Sequence, residues 1–386
     1  MDNLTHSLVG LAAAKAGLEK LSPHATLCSV LAANVPDSDI VVLLFGDRWT
    51  FLQHHRGITH SIIGTLVLGL LLALIFFAVD WLVAKLRARP STIRLKALIL
   101  VSLVVSATHP LLDWMNNYGI RPLLPWSSRW FYGDFVFIID PFMWLLFGGA
   151  CFLLTSKTKL QVALWLLLAG ILTYLVIAVA RRPGFESGAA LRFFWIACII
   201  GLIISFKVGV ARRWGRKIAV AAFATGVVYC GGLALLHLFA VSEVRDQARI
   251  IASQSGESVT DVAAMPTLAN PFEWLCVVET ELAAYRFELS LVDGHKAFVN
   301  LVRHERADPS NSLAVQHASK DRRARIFLGF ARFPVARVAG ADCLTETLVQ
   351  FADLRYTQPG SARGSFSLDL PVECSVGNNL NEIVDE

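Results

Sequence analysis

Charge is scarce in this chain. Of its 386 residues only 17% are Asp, Glu, Lys or Arg, against about 25% in soluble globular domains. Because 55% are hydrophobic, neither an ordinary cytoplasmic enzyme nor a disordered or low-complexity chain fits. Paired thiols are missing as well. The seven cysteines, Cys28, Cys151, Cys198, Cys230, Cys276, Cys343 and Cys374, form no CxxC pair, which argues against a zinc-thiolate or thioredoxin-like centre. The opening MDNLTHSLVG lacks the basic n-region and cleavage site of a removable signal peptide. No internal repeat is visible.

What the chain has in surplus is apolar surface that must face lipid, with a mean hydropathy of +0.55. The charge is also uneven. From Ser242 onward there are 14 basic and 20 acidic residues, whereas residues 1–241 hold 21 basic and 10 acidic. A basic apolar part followed by an acidic polar part predicts a membrane domain over 1–241 with a soluble domain over 242–386. The basic residues sit in short clusters between apolar runs, which fits membrane topology and not nucleic-acid binding.

Four runs approach or exceed the roughly 20 residues that cross a hydrocarbon core: Ser61–Val79, Phe135–Leu154, Leu160–Ala180 and Ile218–Val241. Ala97–Met115 and Phe193–Phe206 complete a set of about six, and Asp140-Pro141 implies that the second run is kinked or starts after the proline. The weaker segments Leu4–Leu18 and Ala25–Phe45 read as short or re-entrant helices. Lys and Arg gather in 85–96, at Lys157 and Lys159, and in 207–217. That predicts a cytoplasmic side for those loops and an outer side for 48–60, 116–134 and 181–192, with Arg181 and Arg182 counting against it. The polar domain then falls on the outer, periplasmic side. Its alternations at Ala283–Val292, Arg325–Phe333 and Ser365–Leu370 predict strands. If that domain is outside the cytoplasm, one disulfide can form among its last three cysteines. The expected fold class is therefore mainly α: a polytopic helical bundle with a β-rich C-terminal domain.

The informative residues are polar ones at span ends: Thr5-His6-Ser7, Pro36-Asp37-Ser38-Asp39, His54 through Ser61 (HHRGITHS), and His109-Pro110-Leu111-Leu112-Asp113. An ionisable residue at mid-span costs about 2.5–3.5 kcal/mol on insertion scales, so it persists where it has a partner or a task. His109 and Asp113 share a face if the helix continues past Pro110, which is tolerable in a first turn. His55 belongs in a loop and His60 in the first turn of the next span, with Gly57 allowing the bend. Asp37 and Asp39 are candidate carboxylate bridges. The loop charges alone place His55, His60, His109 and Asp113 at one membrane face.

Each piece has a plainer meaning: a lone histidine caps a helix, His–x3–Asp is a structural hydrogen-bonded pair, and Pro-Asp-Ser-Asp is a turn. Together they supply nitrogen and carboxylate ligands without thiolate, a set suited to Zn²⁺, Mn²⁺ or Fe. One such ion, or two about 3.5–4 Å apart, lowers the pKa of water to about 7 and supplies hydroxide for attack on a phosphoryl or acyl centre. Arg56 either steadies a phosphate oxygen or anchors a lipid headgroup. Trp114, Trp126, Trp130, Tyr118 and Tyr132 read as an interfacial aromatic belt, with a substrate-lining role as the lesser alternative. His237 packs or hydrogen-bonds at a span rim; His24, His295, His304 and His317 look incidental.

The runs THSLVG (5–10), PDSD (36–39), HHRGITHS (54–61) and HPLLDWMNNYG (109–119) resemble the YdjM-like family of inner-membrane, metal-dependent hydrolases over roughly residues 1–200. The resemblance implies metal ligation by His6, Asp37 and/or Asp39, His55, His60, His109 and Asp113. More distantly the motifs look like those of zinc-dependent phospholipase C and single-strand nucleases, which favours a phosphoester. Here, however, they lie on apolar helices, and the N-terminal tryptophan of the phospholipases is absent. MPTLANPFEW (265–274) is similar to stretches in long family members.

The resulting expectation is an integral membrane hydrolase acting on a lipid-borne or membrane-proximal ester, with Asp39 or His54 as general base. One rival is a non-catalytic metal-binding scaffold or stress protein. Another is a transporter, disfavoured because the motifs sit at span ends and not at mid-depth.

Overall fold

The computed structural model describes residues 1–181, 188–292, 299–308, 312–340, 347–360 and 366–372. Arg182, His295, Cys343 and Cys374 lie outside the described residues. The chain divides into two compact units: Met1–Val41, His54–Leu238 and Pro266–Phe272 in the first, and Val42–Gln53, Phe239–Met265 and Glu273–Glu386 in the second.

In the first unit α1 (Asn3–Ala16) starts at Asp2, whose side chain accepts from Thr5 N–H and caps the helix. It packs on α2 (Ala25–Ala32) through small residues. A Cβ on Gly10 would stand 2.7 Å from the Ser29 carbonyl oxygen, so the two backbones meet there directly. Between α4 (Ile62–Leu86) and α5 (Leu95–Trp114) the same device recurs. Ser102 Oγ donates to the Gly69 carbonyl at 2.7 Å, and a Cβ on Gly69 would stand 2.6 Å from Ser106 Oγ. Lipid is as apolar as leucine, so close backbone approach and interhelical hydrogen bonds are what hold such helices together.

Five described helices are long and apolar enough to cross a membrane: α4, α5, Lys159–Val179, Gly188–Lys207 and Lys217–Ser255. A sixth candidate is the pair α2 and Val35–Leu44, bent by 59° at the break before Pro36. This is the interrupted segment expected from the sequence. In the run Phe135–Leu154 only Pro141–Thr155 is helical, because Asp140 caps Phe142 and Met143 and Pro141 opens the first turn. Pro110 sits well inside α5, near its C-terminal end, and not in a first turn. The basic loop 85–96 is tied down by Asp80, which accepts from Arg89, Ser91 and the Thr92 N–H.

The last helix, Lys217–Ser255, has 39 residues and is roughly 58 Å long, about twice a hydrocarbon core. The polar stretch beginning at Ser242 is therefore helical to Ser255 and is not the start of a separate loop or strand.

The second unit holds two sheets. One has the order β1 (Val259–Thr267), β2 (Asn270–Thr280), β3 (Ala283–Ser290), β4 (Val299–Glu305); the other is β5 (Pro334–Ala339), β6 (Thr347–Asp353), β7 (Ser367–Val372). Cys276 pairs with Phe287 and Phe351 with Leu368, each placing apolar side chains on a buried face. MPTLANPFEW covers the end of β1, the turn at Leu268 and Ala269, and the start of β2. The strand expected over Arg325–Phe333 is instead a helix, Arg322–Phe330. Asp321 caps it, and Ala324, Phe327 and Phe330 are buried at a spacing of three, which suits a helix face. Helix α3 (Arg48–His54) belongs to this unit through Trp49, which is buried with Val315, Phe327 and Phe351. Cys276 is a buried free thiol.

Candidate metal centre

Four segments of the first unit deliver the polar motifs to one place. Asp37 and Asp39 follow the helix break in the turn Val35–Leu44. The chain then returns through His55 and Arg56, whose φ of 52° is a left-handed conformation that a buried arginine adopts only where its contacts hold it. A Cβ on Gly57 would stand 2.5 Å from the His54 carbonyl oxygen, so this turn has room only for glycine. His60 closes the 3₁₀ turn Ile58–His60, and Ser61 caps α4 by accepting from Gly64 N–H. His109 and Asp113 project from one face of α5 at the i, i+4 spacing.

At the centre His60 Nε2 and His109 Nε2 are 3.1 Å apart. Each also faces Asp37 Oδ1, at 3.3 and 3.4 Å, and Asp113 Oδ2, at 3.4 Å in both cases. Four donors in a tetrahedron about 2.0–2.1 Å from one ion stand about 3.3 Å from each other. Five donor separations therefore match the edges of a tetrahedral site. His109 Nδ1 donates to the Ala33 carbonyl at 2.7 Å, which leaves the Nε2 lone pair pointing into the cluster. Two imidazole nitrogens and two carboxylates facing one another, all buried or nearly so, repel unless a cation or protons lie between them. The donor set fits a divalent ion.

A second group, Asp37, Asp39 and His55, shares Asp37 with the first. His55 Nδ1 stands 3.2 Å from Asp39 Oδ2, which also accepts from the Arg56 N–H at 3.1 Å. His6 is fully buried, stacks on His109 at 3.7 Å, and brings Nε2 to 3.4 Å from Asp113 Oδ1, the oxygen turned away from the tetrahedral set. It lies beside the four-donor group and not within it.

Arg56 is buried, and both of its Nη groups are engaged, while Nε has no partner among the described residues. Nη2 donates to Asp113 Oδ1 at 2.9 Å, and Nη1 donates to Asn116 Oδ1 and to the Asp113 and Gly119 carbonyls. Its guanidinium lies 4.5 Å from the Tyr118 ring. Gly119 has φ +82°, and a Cβ there would stand 2.5 Å from the Tyr132 ring, so the turn that aims its carbonyl at Arg56 requires glycine. His54 ends α3 exposed and joins neither donor group.

Sequence reasoning missed Met1, whose amino group contacts Asp113 Oδ1, and Asn116, which holds Arg56. Asn116 was within reach as a polar residue directly after the Asp113 motif; Met1 carried no signal. Of the aromatic set, Tyr118 joins the site, edge-on to His55 at 5.5 Å, while Trp126 is exposed.

Apolar spans around a buried His/Asp cluster define the class: an integral membrane protein with a candidate metal centre. Residues 1–184 match the model of the YdjM inner membrane protein family. The chain is 30% identical over 143 residues to inner membrane protein YbcI of Escherichia coli (strain K12), covering 36% of this chain and 76% of that one. It is 28% identical over 159 residues to the uncharacterized protein YfhP of Bacillus subtilis (strain 168), covering 38% of this chain and 43% of that one, less than half its length. No solved structure matches. This chain belongs to the YdjM inner membrane protein family.

Proposed function

We propose that the protein is a metal-dependent hydrolase acting on an ester or phosphoester at the outer, periplasmic face of the inner membrane. The observation that carries this reading is the set of donor separations of 3.1–3.4 Å among Asp37, His60, His109 and Asp113. Those four residues would hold one ion, of zinc, manganese or iron, and Asp37, Asp39 and His55 would share a second. When bound, such an ion supplies Lewis acidity toward an ester or phosphoryl oxygen and acidifies water.

The protein's own contribution is orientation. His109 is held in its tautomer by Ala33, and Asp113 is fixed by Arg56. With both Nη groups turned to Asp113, Asn116 and Gly119, Arg56 acts on substrate only indirectly, as a positioning residue, in this reading. Asp39 is the acceptor best placed to take a proton, since His55 and the Arg56 N–H hold its carboxylate beside Asp37. His54, exposed at the end of α3, would exchange protons with solvent. His6, packed on His109 and facing the far oxygen of Asp113, would help to hold both ligands in place.

The test is hydrolysis of methyl p-nitrophenyl phosphate and p-nitrophenyl acetate by protein in lipid nanodiscs, before and after chelation and re-addition of metal. Turnover that needs the metal and falls at least 100-fold in Asp39→Asn, with the ion held by Asp37, His60, His109 and Asp113 retained, supports the reading. Metal binding with no turnover on either ester favours a non-catalytic metal-binding scaffold instead.

A further inference from the structure

The first unit carries a groove of about 360 Å³ between α4 and α5, and one wall is His60. Leu66 comes from α4, Pro110, Leu111 and Trp114 from α5, and Phe131 closes the end. Two lining side chains, His60 and Thr65, are polar, and both turn their polar atoms away. Thr65 Oγ1 donates to the Thr59 carbonyl, Nδ1 of His60 meets Thr59 Oγ1, and Nε2 of His60 faces the His/Asp cluster. The groove therefore presents hydrocarbon along its length and ends against the carbon edge of a proposed metal ligand.

Its flanks are on two membrane-spanning helices. Ile62, Leu66 and Leu111 are 59%, 48% and 53% exposed in the protein alone, so in a bilayer they meet acyl chains, not water. The groove has a firm frame. The Ile62 N–H donates to the Pro122 carbonyl at 3.0 Å, and Ile120 bridges Phe131.

We propose that this groove seats the hydrocarbon tail of a membrane-lipid substrate, holding its head-group ester against the His/Asp cluster. The inference rests on the hydrolase reading for what happens to the ester, but not for where the tail lies. A soluble ester would have no use for an apolar channel opening sideways between two spans. An amphiphile reaches it by diffusing in the plane of the membrane and never leaves hydrocarbon. The substrate class is thus an ester or phosphoester whose acyl, alkyl or isoprenoid chain remains in the bilayer while its head is cut.

Two readouts test this in phosphatidylcholine nanodiscs. The first is photo-crosslinking with dodecyl phosphate carrying a diazirine at its terminal carbon, mapped by mass spectrometry. Label is expected on Leu66, Leu111 and Trp114 at least fivefold above the more exposed Lys159–Val179 helix, with the enrichment lost in Leu111→Trp and Leu66→Trp, which fill the groove. Uniform labelling of all lipid-facing helices would overturn the proposal. The second is turnover of methyl and octyl p-nitrophenyl phosphates. Partition into the bilayer favours the octyl ester equally in every variant, so the comparison is between proteins. Leu111→Trp is expected to lower the ratio of octyl to methyl turnover at least tenfold. Equal effects on both esters, or on neither, would overturn the tail assignment while the hydrolase reading stands. Enriched labelling without turnover of either ester would uphold the groove and remove the hydrolase.

Discussion

Two buried Arg–Asp pairs, one in each unit, show what separates a structural ion pair from a candidate site. In the β-rich unit Asp353 is closed. Its oxygens accept from the Arg332 and Arg355 N–H groups and from Arg355 Nε and Nη2, at 2.6 to 3.3 Å. Arg355 in turn donates to the Phe330 carbonyl and lies against the Phe330 and Tyr356 rings. In the membrane unit Asp113 is only half closed. Oδ1 is taken by Arg56, whereas Oδ2 looks at two imidazole nitrogens that sit equally close to Asp37. A buried carboxylate with every lone pair answered by its own arginine does nothing further. One that keeps an oxygen aimed at other acceptors has room for a cation.

The sharpest way to break this contrast is to remove the closed carboxylate. Asp353→Ala strands a fully buried guanidinium, and breaking such a pair costs about 3–5 kcal/mol. The β-rich unit should lose most of its thermal transition by circular dichroism, with bound metal unchanged. A variant that melts like the wild type would show the two pairs to be equivalent. Arg56→Lys sharpens the comparison from the other side. Lysine keeps the charge but cannot span Asp113, Asn116 and Gly119 together. Metal affinity should fall about 10- to 100-fold, as when other ligand-orienting partners are lost; competition with a fluorescent chelator would measure it, and unchanged affinity would deny Arg56 its positioning role.

The smallest effect concerns pH and the β-rich unit. Burial, helped by the Arg286 charge, holds His304 below its ordinary 6.5. The unfolded chain therefore binds the proton more readily, and stability present above pH 6.5 is lost as pH falls through the folded value. The melting midpoint should drop between about pH 7.5 and pH 5.5, and His304→Gln should flatten part of that slope.

Much of the centre was legible because ionisable residues in apolar helices have few other reasons to be there. Asp37, His60, His109 and Asp113 were named by type and position, and loop charges alone placed His55, His60, His109 and Asp113 at one membrane face, but not in contact. Less legible was what depends on three-dimensional neighbours. The distinction between the shared ligand Asp37, the flanking His6 and the outward His54 follows from the helix break and from the left-handed turn at Arg56. Alternation misled over Arg325–Phe333, where a short helix buries every third residue and imitates a strand. Nor could the loop that starts at Arg48 reveal that Trp49 fills the core of the C-terminal unit, since a tryptophan beside a span reads equally well as an interface anchor.

The most direct test of the central claim is elemental analysis of detergent-purified protein, wild type beside the double variant His60→Ala/Asp113→Ala, after metal-free and metal-supplemented purification. The account predicts one or two equivalents of zinc, manganese or iron in the wild type and at least one equivalent fewer in the variant. Wild-type protein free of metal under both conditions, or equal metal in the two proteins, would contradict it.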